Sequence, residues 1–195
     1  MNNYWLRIEN WIKAHLPGII DTLQPAATPI DLQKLDDLVK LPLPQSFKDF
    51  LAVHNGQVWG THLKLMDTDR LLSTEDIAME WEGWLAVMPE INAFNLEMFG
   101  EVAGSEPDAG IKPDWWNEAW IPITSNGSGD SYCIDLDPAD GGTHGQIIRL
   151  WHDIPDRELI APSFAEWIDR FVLDLESGVY RAVDKGHWGG IVKPD

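Results

Sequence analysis

Four aspartates fall between Asp130 and Asp140 with glycines on either side, an oxygen-rich run of residue types that could hold a cation. Asp130, Asp135, Asp137 and Asp140 offer the hard oxygen ligands that Ca²⁺ takes. Their spacing does not fit an EF-hand loop. Aspartate also belongs in turns, where its side chain bonds nearby backbone N–H groups, so the run is read as turn chemistry and no metal site is assigned. The 6 histidines are His15, His54, His62, His144, His152 and His187. None pairs with another at i, i+4, so zinc would need ligands from separate segments. His152-Asp153 has the composition of a base with its orienter but is read as a surface strand end. Ser128, in Asn126-Gly127-Ser128-Gly129-Asp130, lacks the spacing of a nucleophile elbow, and neither a P-loop nor a glycine fingerprint opens any helix. Paired carboxylates for glycoside hydrolysis cannot be singled out among 32 acidic residues. No catalytic residue and no cofactor is assigned.

The elements that position these residues can be read from hydrophobic period and stop signals. Trp5, Ile8, Ile12 and Leu16 make one stripe of a helix over 3–16, ended by Pro17-Gly18. Thr28-Pro29 opens a second helix with Leu32, Leu35, Leu38 and Val39 inward. The third is the most fully punctuated: Pro44 at its first position, Phe47, Phe50 and Leu51 inward, and Asn55-Gly56 as its stop. Residues 58–66 read as a strand. Ser73-x-x-Asp76 caps a helix to about Met88, with Ile77, Trp81, Trp84, Leu85 and Met88 inward. Residues 89–118 then read as an irregular acidic excursion. Strands follow at 120–124, 131–136 and 146–151, joined by short turns and so expected to pair antiparallel. Pro122 confines the first to an edge or a strand start. Ser163-x-x-Glu166 caps a last helix that stops at Gly178, and 179–195 reads as a tail or short strand. Helices first, strands next and a helix last predict an α+β fold.

Composition narrows the partners. Among 195 residues, 14 are Lys or Arg and 32 are Asp or Glu, a net charge of −18. Phosphate binding needs basic patches, so nucleic acid is not expected as a partner, nor is an anionic membrane surface. A single cysteine, Cys133, excludes an intramolecular disulfide framework. The polar start MNNYWLRIEN lacks a signal-peptide pattern, and no apolar run is long enough to span a bilayer. A cytoplasmic protein is expected.

Several weak motifs stand in a specific order. They are Leu43-Pro44, Phe47-Phe50-Leu51, Asn55-Gly56, Trp120-Ile121-Pro122, Gly127 and Gly129 before Asp130, Asp135 with Pro138, and Gly145-Gln146. In this the chain resembles the SUKH superfamily, in its branch named for fungal cell-wall-synthesis regulators of the Smi/Knr type, over about residues 28–175. The resemblance implies a single α+β domain over 28–178, with a helical extension at 1–27 and a tail at 179–195. It supplies no catalytic residues. It implies structural roles: Trp120 and Phe47 in the core, Asp135 in a strand-end bond. Bacterial members are widely proposed to be immunity proteins that neutralise a cognate toxin, often a nuclease.

Function is therefore sought in what the scaffold displays. Of the 11 tryptophans, Trp5, Trp81, Trp84 and Trp167 lie on helical stripes, whereas Trp115 and Trp116 sit in the acidic excursion. Aromatic anchors beside steering charge suit a protein interface, and Glu106, Asp108, Asp114, Trp115, Trp116 and Glu118 are the expected contacts. The first expectation is a non-catalytic immunity protein whose acidic surface masks a basic toxin domain. A regulatory or scaffold protein binding an endogenous partner is the alternative, and a carbohydrate-acting enzyme is a third, weaker one.

Overall fold

Three helices precede the first strand. In the computed structural model, which describes residues 1–194, α1 (Asn2–His15) buries Trp5, Ile8, Trp11 and Ile12. A 3-10 turn over Pro17–Thr22 then leads to α2 (Pro29–Val39). A reciprocal Thr28/Asp31 capping box starts α2, satisfying two of the N–H groups a helix start leaves open. α3 (Gln45–Leu51) buries Phe47, Phe50 and Leu51 as expected. Pro44 is its N-cap rather than its first helical residue, and the Pro44 carbonyl accepts from the Phe47 and Lys48 N–H groups.

The expected strand over 58–66 contracts to β1 (Leu63–Lys64), followed by β2 (Arg70–Leu71). The reason lies in Gln57. Its side chain is wholly buried and takes the place of a strand partner. Its Nε2 donates to Thr22 Oγ1 at 2.7 Å and to the Leu63 carbonyl at 2.8 Å, and its Oε1 accepts from the Leu65 and Leu71 N–H groups. Gly56 before it has φ 73°, and a Cβ there would collide with the Leu72 carbonyl. The stop signal of α3 is thus also a close backbone approach.

α4 (Thr74–Phe99) is the largest departure from expectation. It begins on the Ser73/Asp76 capping box but runs through Pro89 to Gly100, which takes the left-handed conformation at φ 82°. A proline inside a helix removes one hydrogen bond. Here Leu85 and Pro89 are both exposed, so water can satisfy the freed carbonyl. The first eleven residues of the expected excursion are therefore helix.

β3 (Glu106–Pro107), β4 (Trp120–Pro122), β5 (Thr124–Ser125), β6 (Ser131–Asp135), β7 (Gln146–Leu150) and β8 (Asp156–Ala161) follow. The main sheet has the order β3-β8-β7-β6-β4, antiparallel except for β3 on β8. β4 is an edge, as Pro122 requires. The expected strand over 120–124 breaks at Ile123, and β5 leaves to pair with β2 in a second sheet. α5 (Phe164–Glu176) packs on β7 and β8 and against α1 and α3. β9 (Arg181–Asp184) and β10 (Gly189–Val192) form a hairpin whose inner strand pairs parallel with β1, so strand replaces tail over most of 181–192. One apolar cluster joins these parts. Trp5 stacks on Phe50 at 4.4 Å and donates from Nε1 to the Phe50 carbonyl, while Phe164 meets Phe47 and Phe50 edge-on. The α+β architecture is as expected.

Replacing Gln57 by Leu keeps the volume but leaves Thr22, Leu63, Leu65 and Leu71 without their polar partner. We expect a loss of about 3 kcal/mol or more, read as a lower urea midpoint with an unchanged slope.

Candidate functional site

A groove of about 520 Å³ runs along the first half of α4. Met79, Trp84, Val87 and Ile91 recur at helical spacing and form one wall. Gly83 has no side chain to fill the space between them. Trp115 and Trp59 close the groove from the loops, and Glu80, Asp76, Gly129 and His152 supply its polar border. Trp59 is 71% exposed and, with exposed Met79 and Val87 along the same groove, contributes to an apolar patch of the kind that marks interaction sites.

Each wall is held from behind. Trp84 stacks on Trp116 with ring centroids 6.2 Å apart, and Trp81 donates from Nε1 to the Glu118 carbonyl at 2.7 Å. Arg157, a buried residue of β8, donates from Nη2 to the Trp115 carbonyl at 2.6 Å and lies against the Trp115 ring. Its other bonds go to the Ile154 and Asp156 carbonyls. Arg157 therefore positions Trp115, and burial holds its guanidinium below the ordinary arginine range.

The opposite border rests on Asp130. Its Oδ1 accepts from both the backbone N–H and ring Nδ1 of His152, each at 2.9 Å, and its Oδ2 accepts from Asn126 Nδ2 at 2.6 Å. Burial pushes the carboxyl up, but the bonds from His152 and Asn126 outweigh it and the net shift is downward. Beneath the groove, Arg70 Nη1 donates to Asp76 Oδ2 at 2.6 Å, and Asp76 in turn caps α4. Nearby, Arg149 is clamped between the Tyr132 and Trp151 rings and bonds Asp69 at 2.6 Å. Burial lifts the Tyr132 hydroxyl to about 12.

The four aspartates of the glycine-rich run do not converge. Asp135 accepts from Gln146 and from the Asp137 N–H, Asp137 pairs with Lys112, and Asp140 is exposed. Among the described residues, the one His/acid group with ligand atoms close enough to share an ion is Asp130, His152 and Asp153. The Asp130 oxygens there are already bonded.

The six expected contacts split between two places. Trp115 is half-buried and lines the groove, Trp116 is 8% exposed and backs Trp84, and exposed Glu118 lends its carbonyl to Trp81. Asp114 accepts from Asn117 at 2.7 Å. Glu106 starts the edge strand β3, and the Asp108 carboxylate accepts from the Leu159 N–H, so these two follow β8 instead. Sequence reading missed Trp59, Met79, Val87 and Ile91. Ile91 carries the α4 stripe past the point where the helix was expected to end.

Fold and groove together define an α+β domain whose developed concavity is apolar and aromatic rather than catalytic in composition. The chain belongs to the SMI1 / KNR4 family (SUKH-1), whose family model matches residues 26–170. It is similar to the glucan synthesis regulatory protein of Neurospora crassa, with 27% identity over 89% of this chain and 38% of that protein. It is also similar to the cell wall assembly regulator SMI1 of Saccharomyces cerevisiae, at 23% identity over 92% of this chain and 41% of that protein. The cell wall biosynthesis/cell cycle regulator smi1 of Schizosaccharomyces pombe is 26% identical over 89% of this chain and 36% of its own length. The chain thus spans about two-fifths of the length of such relatives. These relatives are named as regulators. Among the described residues no helix is long and apolar enough to cross a membrane.

The lowered Asp130 carboxyl gives a pH prediction. Its folded value lies below the unfolded one of about 3.9, so its contribution is fully present above pH ~4 and is lost as pH falls through the folded value. Asp130→Asn should unfold at lower urea than the native chain at pH 6, with the difference closing as pH drops below ~4.

Proposed function

We propose that the chain is a non-catalytic protein-binding domain of regulatory type, and that the α4 groove holds a segment of an endogenous partner protein. The observation that carries this is the groove itself: a tryptophan-, methionine- and valine-lined trough of about 520 Å³ on a chain of net charge −18. Apolar walls give the buried centre of an interface, and the surrounding carboxylates give its steering rim. The partner segment is accordingly apolar on one side and basic on the other. Trp115 serves as an anchor with Trp116 as its neighbour's backing. Glu118 and Asp114 lie in the flanking segment, and Glu106 and Asp108 extend the acidic field along β8. The printed names of the relatives support a regulatory role over an enzymatic one.

The acidic surface supports a second reading, in which the same face masks a basic toxin domain in the cytoplasm. Co-expression separates the two. An immunity protein rescues growth against a toxin encoded beside it, and a regulator has no such neighbour.

A photo-reactive residue placed at Met79 or Val87 should cross-link to a defined segment of the partner. A synthetic peptide of that segment should bind the intact chain, and Trp115→Ala should weaken it by about tenfold or more, as expected for an aromatic anchor. Association should slow as salt is added. Cross-links that form from Arg181 on the β9 edge but from neither groove position would sink the proposal.

A further inference from the structure

One end of the groove reverses its charge. Beyond Trp59 and Glu80 a second hollow of about 340 Å³ opens, lined also by Lys64, Arg70, Ser125 and Gly127. Two of the chain's 14 basic residues meet here inside a strongly acidic protein. Lys64 is half-buried, and among the described residues its ammonium has neither a carboxylate within ion-pair distance nor a hydrogen-bond partner. Arg70 is 3% exposed. Its Nη1 makes both of its bonds, to Asp76 and to the Gln57 carbonyl, so its Nε and Nη2 have no partner among the described residues. Glu80 borders the same hollow but forms an ion pair with neither cation.

Two further features suit this arrangement to a ligand. The Trp59 ring lies over the Arg70 guanidinium with the cation 4.8 Å from the centroid, which holds the guanidinium plane in place and leaves its edge for hydrogen bonding. The far wall is Gly127 and Gly129, and a Cβ at Gly127 would meet no atom within 4 Å, so the backbone there is open to approach. Burial and the neighbouring Arg70 charge both disfavour the Lys64 ammonium. An anion between the two cations would relieve both effects.

We propose that the hollow between Lys64, Arg70 and Trp59 is an oxyanion pocket that receives a carboxylate or phosphate carried by the partner segment in the adjoining groove. The proposal rests on the groove reading for its ligand's identity but not for its chemistry. The net charge of −18 disfavours an anion elsewhere on the chain, whereas two cations face this hollow. The pocket therefore fixes the direction and register of a segment that is otherwise apolar and basic. Arg70 supplies a fixed fork, Lys64 a mobile point charge, and Trp59 a flat apolar flank for the group that bears the anion.

The test uses the intact chain, with phenyl phosphate and benzoate as probes, followed by NMR at the Trp59 indole N–H and the Gly127 and Gly129 amides. We expect saturable shifts at these positions, and the tighter of the two probes names the oxyanion. Lys64→Gln should weaken binding by about tenfold, the scale of one charge-assisted hydrogen bond, and Lys64→Arg should retain it. Glu80→Gln should tighten binding, which damage to the fold would not do. Absence of saturable shifts with both probes, or equal binding by Lys64→Gln, overturns the pocket. If Met79 and Val87 cross-links persist while Lys64→Gln leaves partner affinity unchanged, the pocket is wrong and the groove stands. Lys64-dependent probe binding without groove cross-links would leave the pocket and remove the groove.

Discussion

The Gln57 carboxamide is the bond set on which the arrangement of the binding face depends. Four segments that do not share a strand ladder with one another meet at this one side chain: the 3-10 turn through Thr22, β1 through Leu63, the chain after it through Leu65, and β2 through Leu71. A buried amide is tolerable only when all its groups are satisfied, and here both donors and the acceptor oxygen are used. The Gln57 carbonyl then accepts from Arg70, Arg70 holds Asp76, and Asp76 closes the capping box from which α4 starts. The direction of the groove wall is set by this relay, which begins in the loop after α3.

Buried cations explain how so acidic a chain keeps a dense core. Arg70, Arg149 and Arg157 are all buried, and each lies against aromatic rings: Trp59, Tyr132 with Trp151, and Trp115. Guanidinium is weakly hydrated and stacks well, so it enters such sites at lower cost than an ammonium. Arg70 and Arg149 have carboxylate partners at 2.6 Å, whereas Arg157 bonds only carbonyls and its buried Nε has no partner among the described residues. Four carboxylates, Asp69, Asp76, Asp130 and Asp135, are buried as well, so the surface keeps nearly the whole net charge of −18. Two of the tryptophans that cover the buried cations, Trp59 and Trp115, also border the groove.

Most of the scaffold was legible in the sequence because its signals are local. The caps at Thr28 and Ser73, the Phe47–Leu51 stripe, the turn between β6 and β7, and the proline at the β4 edge each act within a few residues, whereas β3 and β8, which pair with each other across a long separation, were not expected. The errors lie where a distant partner overrides the local signal. Residues 58–66 alternate like a strand, but Gln57 takes the ladder bonds for itself. Pro89 reads as a helix end, yet the helix continues because solvent replaces the lost bond. That continuation carries Ile91, the far end of the groove wall. Glu106 and Asp108 lay close in sequence to Trp115, but pairing of β3 with β8 carries them along a different edge. Arg157 as the support for Trp115 had no sequence signal, since the two are joined by a side chain reaching a backbone carbonyl across the sheet.

The separation between relay and wall has a functional consequence. Gln57, Arg70, Asp76 and Ser73 are buried, and a change in any of them disturbs several segments together. Met79 and Val87 are exposed, point into the groove and make none of these bonds. Substitutions on the wall should therefore alter ligand preference at little cost in stability, while substitutions in the relay should alter both. Lys64 stands between the two classes: its backbone pairs with Gly190 in the β1–β10 ladder, but among the described residues its ammonium has no partner. A side chain fixed at its root and unpaired at its tip can change ligand charge preference without moving the fold. The scaffold is thus suited to hold one architecture while the segment it binds varies.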